Sequence, residues 1–376
     1  MGRTWSRRYE TQAQTGPRFK DRFYSKFGMA HGNGARIAIA AAAGVAVGAS
    51  LAPLFRRLRA ALAPQWKLAF YSTERGSVTT VPELMVVPID DHMIVRGHAV
   101  FDTASLVGGR LYRLDVHLER LLDSAAAARL PLPFADGSRA ANKARMASLI
   151  AATCRAARAP SAHVRFWLSA GPGNLGVTPE GCRPAFYVLA ADRLPLAADP
   201  SAGVAEAWVP EDAVPLKPRK LAELKSTNYM LNALTAMAAR DRGGRYGLGH
   251  TPSGLLRESC VMNVALVGRD RVLRTPDFVQ VLAGTTVRRA MELAAASLVR
   301  DGVLRGVAQG PLTCADAERA AEVFLLAGDT HVIPVTTLAG NPVGDGAVGP
   351  VARALHALLE HDAAHGRTQH HELHDL

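Results

Sequence analysis

The sequence predicts a mixed fold of helices and strands, α+β, and three observations carry that reading. Two apolar runs flank Gly108-Gly109 in "FDTASLVGGRLYRL", the mark of a β-hairpin. Apolar residues then recur at Leu118, Leu121, Leu122 and Ala125, the spacing of one helix face. Two strand-like runs follow, "HVRFWLSA" and "AFYVLA", separated by a glycine- and proline-rich loop from Gly171 to Arg183. The 376 residues are 48% hydrophobic and 20% charged, the balance of a globular chain with sizeable cores. That length suits two domains at about 100–200 residues each.

Residues 1–65 stand apart from the rest. Arg3, Arg7, Arg8, Arg18, Lys20, Arg22, Lys26 and Arg36 face only Glu10 and Asp21 across the first 36 residues. "RIAIAAAAGVAVGASLAPLF" then runs without a charge between Arg36 and Arg56. Its apolar part, residues 37–55, has about the length of a membrane-spanning helix. Two readings are open: a single membrane anchor, or part of an organelle-targeting presequence, a plastid ahead of a mitochondrion. An ordinary alanine-rich helix is the third.

The body begins with a small domain, residues 66–192. Asp115 is expected to cap the helix after the hairpin, and "LPLPF" stops it. A second helix covers roughly Ala140 to Ala157, before the two strands. The turn-rich stretch at residues 193–203 reads as the interdomain linker. A larger domain, residues 204–362, opens with "VAEAWVP". There a strand-like run with Leu221 and Leu224 leads to Lys225, and a helix runs from Asn228 to Arg240, ended by Gly243-Gly244. "GLLRESCVMNVALVGRDRVLRTP" reads as short strands with turns. "LAGTTVRRAMELAAASLVRDG" is a glycine turn into a helix with Val287, Met291, Ala294 and Leu298 on one face. Residues 363–376 carry His365, His370, His371 and His374 and read as a solvated, disordered tail, not a metal site.

The net charge of +11 is largely a property of the front of the chain. No aromatic-interleaved basic patch occurs in the body, which argues against a nucleic-acid partner. The four cysteines are scattered without a CxxC pair, so they read as reduced thiols of a non-secretory compartment.

Four features converge on one chemistry. Lys225 sits at the mouth of a helix, where a partly desolvated amine has a lowered pKa and can capture an aldehyde. Gly284, Thr285 and Thr286 open a helix whose free N–H groups and hydroxyls suit a phosphate. Arg120, in "DVHLERL", can pair with that phosphate. Glu258, in "LLRESCVMN", is an acid on an otherwise apolar strand and needs a cationic partner such as a protonated pyridine nitrogen. Together these are the parts that hold pyridoxal phosphate.

The segments "IDDHMIVRGHAVFDT", "LYRLDVHLERLLDSA", "FWLSAGPGNLGVTPEGC", "LKSTNYMLNAL", "RESCVMNVALV" and "TPDFVQVLAGTTVRRAMELA" resemble, in collinear order, the class IV (fold-type IV) pyridoxal-phosphate aminotransferases. Within that family they are most similar to the plant-type D-amino-acid transaminases and the aminodeoxychorismate lyase-like proteins. The resemblance implies that Lys225 carries the cofactor as a Schiff base and that Glu258 meets the pyridine nitrogen. It implies that Arg120, Thr285 and Thr286 bind the phosphate, with Leu282 against the ring and Gly284 and Asn263 beside it. Arg165 matches a position near the substrate carboxylate, and Phe101, Trp167, Tyr229 and Thr330 complete the implied substrate set. The fold implied is a small α+β domain followed by a larger one built around a β-barrel. The cofactor would lie between them, in a homodimer whose subunits complete each other's sites.

The implied reaction moves the amino group of an amino acid, such as D-alanine, to a 2-oxo acid such as 2-oxoglutarate. Three other readings stand beside it. One is pyruvate elimination from 4-amino-4-deoxychorismate, a lyase step toward folate that shares the K-x-x-N spacing of Lys225 and Asn228. The others are a branched-chain aminotransferase-like activity and a non-catalytic, membrane-tethered homologue. Departures from the family pattern bear on the substrate. Phe101 lacks the hydroxyl of a tyrosine common there, Ala170 replaces an arginine, and Gly171 to Arg183 lacks the arginine and histidine of the bacterial D-amino-acid enzymes.

Overall fold

A computed structural model describes residues 67–134, 138–192, 201–366 and 370–376. The apolar segment 37–55 and most of the 193–203 linker lie outside them. Among the described residues, no helix is long and apolar enough to cross a membrane.

In chain order the first elements are β1 (Leu68–Ser72), β2 (Ser77–Thr79), α1 (His92–Arg96), β3 (Ala99–Val107), β4 (Arg110–Tyr112), α2 (Leu114–Ala127), α3 (Arg139–Ala157), β5 (Ala162–Ser169) and β6 (Ala185–Ala191). Then come β7 (Val204–Glu206), β8 (Trp208–Pro210), α4 (Arg219–Ala222), α5 (Met230–Asp241), β9 (Leu248–His250), β10 (Leu256–Ser259), β11 (Asn263–Val267), β12 (Val272–Thr275) and α6 (Thr285–Leu293). The chain finishes with β13 (Gly306–Gln309), α7 (Cys314–Glu318), β14 (Glu322–Ala327), β15 (His331–Leu338), β16 (Asn341–Pro342), α8 (Pro350–His365) and β17 (His370–Glu372).

The first sheet has the order β17-β4-β3-β5-β6-β1-β2, and its ladders are antiparallel. Alternation along β3 and β5 sends Val100, Ala104, Leu106, Val164, Phe166 and Leu168 into one core. There they meet Leu114, Leu118, Leu121 and Leu122 of α2 and Met146 and Ile150 of α3. The opposite face of the same two strands carries Phe101, Thr103, His163 and Arg165. A period-2 strand thus holds a core and a polar wall at once.

The strands of the second half form two sheets, β10-β9-β8 and β13-β12-β11-β14-β15-β16 with β7 added parallel to β15. The expected β-barrel is not closed among the described residues: β13 pairs only with β12, and β16 only with β15. Ala265, Leu273, Phe324 and Val332 pack one face of the larger sheet against Val287, Ala290, Ala294 and Leu298 of α6 and its continuation and Leu355 and Leu359 of α8. After Leu293 the helix widens into a π-turn, Ala294–Val299.

Three local expectations are corrected. The helix after the hairpin starts at Leu114, with Arg113 in the left-handed region before it, so Asp115 sits inside the first turn. The run at Leu221 is a helical turn and not a strand. Arg219 and Glu223 pair across it at 2.9 Å, and Leu221 is exposed, so nothing favours alternation. The histidine tail is not disordered as expected. His370–Glu372 adds an antiparallel strand to β4, satisfying backbone groups that an edge would leave bare.

Candidate active site

Lys225 is fixed by its backbone before its side chain matters. Strand β4 covers only the far end of β3, so the near end is open, and residues 225–227 fill it. Phe101 N–H donates to Lys225 O at 2.9 Å, Thr227 N–H donates to Ala99 O at 3.0 Å, and Val100 bridges to Ser226. Lys225 N–H donates to Ser124 Oγ of α2 at 3.3 Å. Asn228 Nδ2 donates to Gly97 O at 3.2 Å, which gives the K-x-x-N spacing a structural reason. Gly97 has φ +66°, and a Cβ there would stand 3.0 Å from Asn228 Oδ1, so the position favours glycine.

The Lys225 ammonium lies 4.8 Å from the centroid of the Phe101 ring. Burial, and then the nearby Arg120 guanidinium, push its pKa down to about 8. A fraction of the amine is therefore free base, and nucleophilic, near neutral pH.

The same cavity, about 630 Å³, is lined by the start of α6, by Arg120 and by Asn263 and Leu282. Gly284 precedes α6, and a Cβ on it would fall 1.9 Å from Asn263 Oδ1, so only glycine lets the chain approach. Asn263 Nδ2 holds the incoming loop by donating to Leu282 O at 2.8 Å. Thr285 and Thr286 follow as the first helical residues, buried and with their N–H groups at the positive end of the helix.

Arg120 does not point its full fork at the cavity. Nε and Nη2 donate to the two oxygens of Asp102 at 2.8 and 2.7 Å, and Nη1 has no partner among the described residues. Asp102 is wholly buried on the core face of β3. It also meets His117 Nδ1 at 3.0 Å, and His117 Nε2 meets Asp329 Oδ1 at 2.8 Å. Burial alone would raise both carboxyls and lower the imidazole. The mutual charges win, holding both carboxyls below the usual range and lifting His117 to about 9. Asp102, His117 and Asp329 were missed in the sequence. The available signals were an acid interrupting the Val100–Ala104–Leu106 face and a histidine adjoining the Leu118–Leu121 stripe.

On the other side stands Glu258 of β10. Leu282 N–H donates to Oε2 at 3.2 Å. Burial pushes the carboxyl up to about 7 against the pull of Lys217, Leu282 N–H and Lys225. Lys217 was also missed. Its ammonium lies 4.8 Å from the Tyr229 ring centroid, and burial lowers its pKa. Glu258 and Lys217 line an adjoining cavity of about 470 Å³, not the one that holds Lys225 and Arg120. Leu282 links the two, lining the larger one while its N–H bonds Glu258.

Of the substrate set, Phe101, Arg165 and Tyr229 line the larger cavity. The Phe101 and Tyr229 rings meet edge to face at 5.2 Å, and Arg165 lies over Phe101 at 5.7 Å. Arg165 Nε donates to Thr103 Oγ1 at 3.3 Å, and no carboxylate pairs with it among the described residues. Trp167 and Thr330 are not brought there. Trp167 lies two residues, about 6.6 Å, further along β5, and packs beside Phe70 and Tyr187. Thr330 does not line the cavity: its hydroxyl lies 3.5 Å from His331 Nδ1 and its carbonyl 3.2 Å from His356 Nδ1, while its neighbours Asp329 and His331 do line it. His163, His331, Arg240 and Arg245 also line the cavity, which the sequence did not reveal; burial lowers both imidazoles, so the added positive charge is that of the arginines.

These residues fit pyridoxal phosphate: a desolvated amine, a glycine cradle at a helix N-terminus, a guanidinium nitrogen left over from its ion pair, and a buried carboxyl short of a cation.

A sequence profile, "Amino-transferase class IV", matches residues 99–338. The chloroplastic D-amino-acid transaminase of Arabidopsis thaliana is 37% identical over 314 residues, 82% of this chain and 80% of that protein. The D-alanine aminotransferase of Bacillus licheniformis is 24% identical, over 73% of this chain and 90% of its own. Among solved structures, the branched-chain amino acid aminotransferase from Escherichia coli superimposes with a TM-score of 0.67 at 22% identity, covering 81% of this chain and 98% of that one. At that identity the likeness is one of fold. The family profile and the Arabidopsis relative together decide the matter: the chain belongs to the class IV aminotransferases, enzymes whose cofactor is pyridoxal phosphate.

Proposed function

We propose that the chain transfers the amino group of a D-amino acid of the D-alanine class to a 2-oxo acid such as 2-oxoglutarate, with Lys225 as the catalytic amine. The observation that carries the mechanism is the Lys225 amine, held at the open end of β3 with its pKa down to about 8. The donor class rests on the 37% identity to a D-amino-acid transaminase.

The bound cofactor supplies an aldehyde for covalent capture of amines and a ring that accepts charge from the substrate α-carbon. Lys225 Nζ would hold that aldehyde carbon covalently and, when freed, would take and return the substrate's α-proton. Arg120 Nη1, the Thr285 and Thr286 hydroxyls and the N-terminus of α6 hold the phosphate. Glu258, short of a cation, retains a proton on the ring nitrogen. Arg165 receives the substrate α-carboxylate, and Phe101 and Tyr229 wall the pocket. The chain works as a homodimer, and it resides in a plastid, the second reading in keeping with its chloroplastic relative.

The test is to supply the full chain, loaded with cofactor, with D-alanine and 2-oxoglutarate and to follow pyruvate with lactate dehydrogenase. Pyruvate and D-glutamate are expected. Faster turnover of L-leucine, or pyruvate from aminodeoxychorismate without a 2-oxo acid, overturns the reading.

A further inference from the structure

Two nitrogens of one buried imidazole face two buried carboxylates. His117 Nδ1 lies 3.0 Å from Asp102 Oδ1, and Nε2 lies 2.8 Å from Asp329 Oδ1. An ionised carboxylate only accepts hydrogen bonds. Both contacts are therefore made only by a ring protonated on both nitrogens. The chain of contacts continues in both directions. Asp102 fixes Arg120 through a bidentate pair at 2.7 and 2.8 Å. Asp329 N–H donates to Thr286 Oγ1 at 3.0 Å, so that oxygen accepts and its own proton is free for a ligand. Asp329 holds φ +68°, a conformation costly for a non-glycine residue.

We propose that His117, as an imidazolium between Asp102 and Asp329, is the positioning residue that sets the spacing of the phosphate cradle. Through Asp102 it aims Nη1 of Arg120, and through Asp329 it aims the hydroxyl of Thr286. Two halves of the chain, α2 with β3 and the turn between β14 and β15, thus meet at one ring. The two cations, Arg120 and His117, balance the two anions, Asp102 and Asp329, so the unit is neutral although wholly or largely buried. The inference rests on the reading of Arg120 and Thr286 as phosphate ligands.

The charged and titratable groups around the ring are Asp102 of β3, Asp329 before β15 and Arg120 of α2 itself; His163 of β5 and His331 of β15 couple to Asp329. Against the pull of burial, the two carboxylates lift His117 to about 9, so its charge is present below that pH and lost above it.

The test compares pyridoxal phosphate with pyridoxal, which lacks only the phosphate, as ligands of the full-length apoprotein. Any effect on Lys225 or the ring pocket changes both affinities, and their ratio isolates the phosphate. In His117→Asn the ratio is expected to fall roughly 10- to 150-fold, the worth of one charge-assisted hydrogen bond. An equal loss for both ligands, the sign of a merely structural role, overturns the proposal, and so does an unchanged ratio. Should the variant not fold, the wild-type protein decides. The phosphate has its second ionisation near 6, so above pH 7 its charge is constant. The ratio must then fall as pH passes about 9, and a flat ratio to pH 10.5 overturns the proposal. Arg120→Ala separates the two layers. If it keeps the wild-type ratio, the phosphate-ligand reading itself fails; if it loses the ratio while His117→Asn keeps it, only the role of His117 fails.

Discussion

Two buried carboxyls on opposite sides of the candidate site are held in opposite ways. Asp102 has a guanidinium and an imidazolium within 3.0 Å, and their charges outweigh its burial. Glu258 has one backbone N–H at 3.2 Å and more distant lysines, and burial wins. The protein completes the Asp102 side with its own charges and leaves the Glu258 side without a close ion pair. The difference teaches where a ligand is needed: a wall that is already neutral positions, and a wall that lacks a counter-charge waits for one.

The comparison can be broken most directly at Lys225, on the unfinished side. Lys225→Ala is expected to lower turnover by about 10⁴-fold, the upper end for a positioned acid–base group, while urea midpoints stay close to wild type. Borohydride reduction of the wild-type holoenzyme and peptide mapping must find the cofactor on Lys225; label on another lysine sinks the assignment.

The two carboxyls can be tested against each other. Asp102→Ala leaves Arg120 and His117 buried without their anion and should cost about 3–5 kcal/mol in urea unfolding. Glu258→Gln removes an acid already pushed toward its neutral form and should cost the apoprotein far less, while slowing turnover. Equal destabilisation by both variants would erase the contrast. A smaller effect is expected at Arg120. Arg120→Ala should weaken cofactor binding by about 1.5–3 kcal/mol with a lesser loss of turnover, read from the dissociation constant and from rates at saturating cofactor.

The pH dependence sharpens the picture further. Lys225 titrates at about 8, below the ordinary lysine value, and only the free base attacks an aldehyde. The rate at which apoprotein captures pyridoxal phosphate should rise roughly eightfold from pH 6.5 to 7.5 and level off above about 9. A rise continuing to pH 10 would mean an ordinary, solvated lysine. The smallest effect is reserved for the front of the chain: removing residues 1–65 should leave kcat unchanged, since every site residue named lies beyond Gln65.

Much of this was legible because it is local. The hairpin at Gly108-Gly109, the strand-like run of β5 and the helical spacing of α2 are read within short windows, and Gly284-Thr285-Thr286 announces a helix start by type and order. What stayed hidden is distant in sequence. His117 and Asp329 are 212 residues apart, and no periodicity relates them. Lys217 looks like any lysine until Tyr229 and Glu258 are folded around it. Trp167 shares a strand face with Arg165, and only the length of β5 tells that it has passed the cavity. Closure of a barrel is likewise a property of edges, and β13 and β16 show theirs only when folded.

The strand at the chain's end has a consequence for the birth of the protein. The outer edge of the first sheet is β4, and its cover, β17, is made from His370–Glu372. The last of the sheet's other strands to be made, β6, ends at Ala191, and β17 begins only at His370. At about 5–20 residues per second, the ribosome needs roughly 10–40 s to cross that interval. Throughout it, the edge of an otherwise complete sheet is bare beside other nascent chains. An open edge is a template for wrong pairing, and a very short one is a poor template. The three residues of β4 are thus a safeguard during synthesis, as well as the seat for the last strand to arrive.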